Sequence, residues 1–190
     1  DSQPDGWFFT NTINSTSGGN FAELSNGDAQ TGTQLSNMTY TMTTANPIDV
    51  MALAGTEQVS LSFLQYGALF NDLQEILISV NGVTFTPVGD NSDKDVLSAS
   101  GGAAYDNPDN KLINLAPYIA GFGSSVWIQF RWTTAFPNSA SNPNVWITYG
   151  WMIDDVRLFE LPDNLIDIED AVTGGYWIDY LNYSASGLNT

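Results

Sequence analysis

A chain of 190 residues with an apolar share of 43% is long enough for one domain with a substantial hydrophobic core, and too apolar for low-hydrophobicity disorder. Its 21 acidic residues face only four basic ones, Lys94, Lys111, Arg131 and Arg157, which cannot supply the basic stripe that nucleic acid or an anionic membrane surface requires. Without Cys or His, disulfides are excluded, as are Ser-His-Asp and Cys-His arrangements and most zinc or iron sites.

Along the chain, short extended runs alternate with clusters of Gly, Asn, Asp, Ser and Pro. Strands are expected at 7–12 and 20–24, the second followed by the turn Ser25-Asn26-Gly27-Asp28. A Thr-, Met- and Tyr-rich stretch at 34–44 reads as extended. Residues 59–66 alternate, with Val59, Leu61, Phe63 and Gln65 on one side and Ser60, Ser62, Leu64 and Tyr66 on the other. The clearest local signal is a hairpin, with strands at 74–80 and 83–88 joined by the two-residue turn Asn81-Gly82. The polar stretch 89–110 is too long for an ordinary connection and is expected to be a functional or ion-organised loop. Further strands are expected at 111–115, 126–133, 145–149 and 151–159, with a helical turn at 117–121.

Many strands and no long amphipathic helix predict an all-β fold, specifically a two-sheet antiparallel jelly-roll β-sandwich. Leu61, Phe63, Ile76, Ile78, Ile128, Phe130, Ile153 and Val156 are expected in its core. The domain is expected to span 1–160. Leu161-Pro162-Asp163-Asn164 marks a boundary, and 161–190 reads as a linker or the start of a following domain. No run of about twenty apolar residues exists, so no direct membrane insertion is expected. No secretory leader is visible, and Asp1 is expected to begin a mature or excised segment.

The segment Gly150-Trp151-Met152-Ile153-Asp154-Asp155-Val156-Arg157-Leu158 resembles the last strand of several jelly-roll families. Ile78-Ser79-Val80-Asn81-Gly82-Val83-Thr84-Phe85 and Val126-Trp127-Ile128-Gln129-Phe130-Arg131-Trp132 resemble two earlier strands in the same order. Together they are similar to the cleaved-adhesin or choice-of-anchor J type of domain, with MAM domains and calcium-containing carbohydrate-binding modules as neighbours. Asn81-Gly82 and Phe85 depart from that family's Asp-Gly-Gly turn and Trp. The resemblance implies a secreted, cell-surface bacterial module with structural calcium, and it implies no catalysis.

That resemblance puts Asp155, ahead of Asp154, near a calcium ion, with Glu23, Asp28 and turn carbonyls completing an all-oxygen shell. The alternative is one solvated Asp and one satisfied by backbone amides. Asp90 and Asp93 lie in the densest oxygen-donor run, Asp90-Asn91-Ser92-Asp93-Lys94-Asp95, which lacks EF-hand spacing. They are candidates for a looser calcium site, against a solvated loop. Tyr66, Phe70, Tyr105, Phe136, Trp146 and Tyr149 are the aromatics weighed as sugar-stacking faces against core packing. Trp127 and Trp132 are expected to be structural, on opposite faces of one strand.

The function expected is a non-catalytic adhesion or ligand-binding module, with carbohydrate among the ligands considered. Its partner would be a glycan, a surface protein ligand, or neighbouring copies of itself. The rivals are a structural building block of an extracellular filament and an accessory domain of a secreted hydrolase. No motif singles out a carboxylate pair of the kind a glycosidase needs.

Overall fold

The computed structural model describes residues 12–25, 38–50, 53, 59–69, 72–96, 104–119, 125–134 and 150–160. Asp28, Phe70, Phe136, Trp146 and Tyr149, the strand expected at 145–149, most of that at 7–12, and the tail 161–190 lie outside these residues. Nine strands are described: β1 (Ala22–Ser25), β2 (Thr39–Thr43), β3 (Ile48–Asp49), β4 (Val59–Gly67), β5 (Asp72–Ser79), β6 (Thr86–Asp90), β7 (Asp109–Asn114), β8 (Ser125–Thr134) and β9 (Gly150–Glu160). A single helical turn, α1 (Ala116–Ile119), lies between β7 and β8.

The strands form two antiparallel sheets, β1-β9-β4-β7 and β2-β8-β5-β6, with β3 also on β8. β2 and β3 lie along one edge of β8, bridged by Thr44 N–H donating to the Ile128 carbonyl at 3.0 Å. The winding is legible in the pairs. β5 pairs with β6, β4 with β7, β2 with β8 and β1 with β9, each pair enclosing the last and lying on alternate sheets. That nesting is one long hairpin rolled over itself, the topology of a jelly roll.

The core is built from inward residues of both sheets. Phe63 of β4 and Trp151 of β9 meet Phe130 of β8 across the sandwich, edge to face, with centroids 5.0 and 5.6 Å apart. Leu61, Ile76, Ile128, Trp132 and Ile153 are fully buried around them. Each such side chain contributes roughly 1.5–3 kcal/mol on burial. Trp132 lies in this core and Trp127 on the opposite face, as alternation requires.

The alternation expected for β4 is present, but both of its faces are buried, one against the other sheet and one beneath a covering segment. Across its outer face runs a strap, residues 12–17. Asn14 is tied to Asn107 in the turn just before β7, while Thr16 and Ser17 reach β9 on the other side of β4. Ile13 between them is buried in the hydrophobic cluster.

Val156 departs from expectation and is 42% exposed. Ser62 pairs with Arg157 but Leu64 with Asp154, so Phe63 faces two β9 residues. This is a β-bulge, with Asp155 in the left-handed region at φ 49°. Within it Val156 lies on the rim of an open groove instead of in the core.

Candidate functional site

Asp154 and Asp155 point their carboxylates at the strap. Asp155 Oδ2 accepts the Thr16 N–H at 2.9 Å and also the Thr16 hydroxyl. Asp154 Oδ2 accepts the Ser17 hydroxyl at 2.8 Å, and its Oδ1 accepts the Asp155 N–H at 2.8 Å. Desolvation, the largest single influence, raises the Asp154 pKa, but hydrogen bonds from Ser15, Ser17 and the Asp155 amide together outweigh it and hold the carboxyl below its usual range. The Ile-Asp-Asp-Val sequence therefore makes a bulge that clamps the strap.

Glu23 is not brought to this pair. It stands opposite Met152, and its carboxylate leans over Gly150, away from Asp154. A Cβ at Gly150 would lie 2.9 Å from Glu23 Oε1, so only glycine leaves that space. Burial pushes the Glu23 pKa up, and Oε1 is buried with no hydrogen-bond partner. Among the described residues, no three acidic side chains gather as a metal-binding group.

The 89–110 stretch is organised by a buried amide cluster. Asn91 follows β6 and its backbone N–H donates to the Gln74 carbonyl at 3.1 Å. Its Nδ2 donates to Gln65 Oε1 at 2.9 Å and to Gln74 Oε1 at 2.8 Å, while its Oδ1 accepts from Gln65 Nε2 at 3.1 Å. Trp151 Nε1 donates to Gln65 Oε1, and the Tyr105 hydroxyl donates to Gln74 Oε1 at 2.7 Å. Gln65 Nε2 also reaches Asp109, and Gln74 Nε2 reaches Asp72 and the Ala68 carbonyl. Every amide hydrogen of Gln65, Gln74 and Asn91 thus has an acceptor. Burial, then the charge of Asp72, push the Tyr105 phenol far up, so it remains a donor at all ordinary pH.

Asp90, Asp93 and Asp109 of this stretch are also engaged. The Ser92 hydroxyl and N–H lower the Asp90 pKa, and Asp93 pairs with Lys111 at 2.6 Å. Lys94 pairs with Asp109 at 2.7 Å and lies over the Tyr105 ring. Tyr66 and Tyr105 are buried, so neither presents a ring face to a sugar.

Among the described residues are two open concave surfaces that bear on function. The first is a groove of about 420 Å³ between the sheets, lined by Phe21, Met42, Ile128, Phe130, Ile153 and Val156, with Asp154, Asp155, Thr43 and Thr44 among its polar groups. Those polar groups already serve the fold: Thr43 accepts from Gln129, Thr44 from the Ile128 amide, and the aspartates from the strap.

The second is a pocket of about 380 Å³ beside the β5–β6 loop, lined by Ile78, Ser79, Val80, Asn81, Thr84, Thr86 and Tyr118. Asn81-Gly82 is not a two-residue turn here, because Ile78 pairs with Thr86 and the loop between them is longer. Asn81 Oδ1 organises that loop, accepting from Ser79 Oγ at 3.0 Å, Val83 N at 2.9 Å and Thr84 N at 2.8 Å. Ser79 Oγ in turn accepts from the Gly82 amide at 3.0 Å. Gly82 has φ 71°, and a Cβ there would meet the Trp127 ring at 3.2 Å, so the loop is seated on that indole. Asn81 Nδ2 and the hydroxyls of Thr84, Thr86 and Tyr118 have no hydrogen-bond partner among the described residues. Sequence reasoning passed over Tyr118, since only the topology brings α1 to the hairpin.

Comparison with models of known protein families finds no match, and comparison with curated proteins finds none either.

Proposed function

We propose that this chain is a non-catalytic, extracellular ligand-binding or adhesion module, and that its binding site is the pocket between the β5–β6 loop and Tyr118. The observation that supports this reading is the lining of that pocket. The amides of Gln65, Gln74 and Asn91 and the carboxylates of Asp93, Asp109 and Asp154 are engaged in holding strands, strap and loops. In the pocket, Asn81 Nδ2 and the hydroxyls of Thr84 and Thr86 stand beside Tyr118, which packs partly against the core, and these groups and the Tyr118 hydroxyl have no partners among the described residues. A concave, partly apolar surface with a few convergent polar groups on rigid elements is the usual form of a small-molecule site, roughly 300–1,000 Å³ in size.

Structural calcium belongs to this proposal, with Glu23 as the residue that fits it. A buried carboxylate oxygen without a donor is costly alone and suits a hard cation, which would bind to the folded state and stabilise it. Asp154 and Asp155 are committed to the strap, so Glu23 carries the expectation.

The test is a melting-temperature screen against a mixed panel of amino acids, nucleotides, mono- and disaccharides and short peptides. At least one compound is expected to raise the melting temperature of the wild type but not of Thr84→Arg, which fills the pocket from an exposed position. The compound is expected back chemically unchanged after prolonged incubation. An unresponsive panel, or equal response of the variant, favours a spacer role, and turnover of the bound compound makes the chain an enzyme.

A further inference from the structure

We infer that the pocket beside the β5–β6 loop takes a neutral saccharide, with the Tyr118 ring against one face of a sugar ring and Asn81 Nδ2 donating to a sugar hydroxyl; this rests on the binding-module reading above. The lining decides the ligand class by elimination. A chain of net charge −17 repels anions, and the pocket contributes no Lys or Arg to overcome that. It contributes no Asp or Glu either, so a cation finds no charged partner there. A wholly apolar ligand would cover the Asn81 amide and the hydroxyls of Thr84, Thr86 and Tyr118 without replacing their water, at a cost for each. A pyranose meets both demands. It has a face of C–H bonds for an aromatic ring and a rim of neutral hydroxyls that both donate and accept.

The donor is held in place before any ligand arrives. Three donors converge on Asn81 Oδ1 and fix the plane of the carboxamide, so its Nδ2 pays little entropy on binding. The Gly82–Trp127 contact seats the same loop on β8, and buried Ile78 and exposed Val80 supply apolar lining. Thr84 and Thr86 stand on the exposed side of the pocket, where sugar hydroxyls would reach them.

The full chain is to be tested on an array of neutral gluco-, manno- and galacto-oligosaccharides alongside acidic oligogalacturonates. The expected result is binding of at least one neutral series and none of the acidic one. Asn81→Asp keeps the oxygen that accepts from Ser79, Val83 and Thr84 but loses the donor, and should weaken binding about tenfold. Thr84→Arg should abolish it, and Tyr118→Phe should retain most of it, since the ring remains. Circular dichroism and melting curves check that each variant is folded. Preference for the acidic series, wild-type affinity in both Asn81→Asp and Thr84→Arg, or no saccharide bound at millimolar concentration overturns the inference. If a non-saccharide compound from the melting screen is instead lost in Thr84→Arg, the binding-module reading stands and the saccharide assignment alone falls.

Discussion

Asp155 combines two demands that few residues meet together. Its backbone sits at φ 49°, where a β-carbon costs roughly 1–2 kcal/mol and Asn or Asp is tolerated best. Its carboxylate receives the strap through the amide and hydroxyl of Thr16. The two contributions separate by substitution. Asp155→Gly relieves the backbone but loses the acceptor, Asp155→Asn keeps one oxygen and tolerates the φ, and Asp155→Ala fails on both counts. Urea denaturation should rank them Asn, Gly, Ala in falling stability, with Ala about 1–2 kcal/mol below Gly. Equal destabilisation of Gly and Ala would mean that the bulge is not a strained position and that only the strap contact counts. An error of sequence reading lies beside it. Ile153 and Val156 are three apart, so strict alternation already sets them on opposite faces; placing both in the core followed their apolar character alone, and Val156, inside the bulge with Asp155, lies at the groove rim.

At the scale of elements, the long strands were legible because their inward positions are apolar: Leu61 and Phe63, Ile76 and Ile78, Ile128 and Phe130 all lie in the core as expected. The hairpin was legible as a pairing but not as a turn. Asn81-Gly82 matches a two-residue loop on paper, yet the Asn81 side chain takes over the hydrogen bonds of a longer loop, which backbone propensity does not announce. The polar stretch after β6 shows the converse. Its density of oxygen donors suggested ions, but Asn91 at its start turns inward and joins β4 to β5 through Gln65 and Gln74. Asn91→Ala should therefore cost about 2–3 kcal/mol, although it removes no apolar contact of the core, because it leaves buried amide groups of both glutamines short of a partner. Asp90→Ala, which frees only an exposed serine turn, should cost well under that in the same denaturant titration. If the two variants are equally stable, the amide cluster does not couple the sheets.

Over the whole molecule, electrostatics oppose the fold. The net charge is −17, and three of the four basic residues, Lys94, Lys111 and Arg131, are already committed to ion pairs with Asp109, Asp93 and Glu75. The remaining carboxylates repel one another at distances where salt screens them, so sodium chloride should raise the melting temperature despite weakening those pairs. A structural cation acts differently, and Glu23 separates the two effects. Its folded pKa lies above the ordinary carboxylate value because of burial. The folded chain therefore holds that proton to higher pH than the unfolded chain does. The resulting stability is complete below the unfolded value and is lost as pH rises through the folded one. In EDTA at pH 7, Glu23→Gln should melt above the wild type and show a flatter pH dependence above pH 4.5. In calcium the order should reverse, since the ion needs the carboxylate that burial otherwise penalises. At a hundredfold excess over Kd the wild type should gain about 2.7 kcal/mol, roughly 5–10 °C beyond sodium chloride of equal ionic strength, and Glu23→Gln should gain only the screening part. If calcium and sodium at matched ionic strength give the wild type one melting curve, Glu23 holds no ion, and its buried oxygen is simply a cost that the sandwich tolerates.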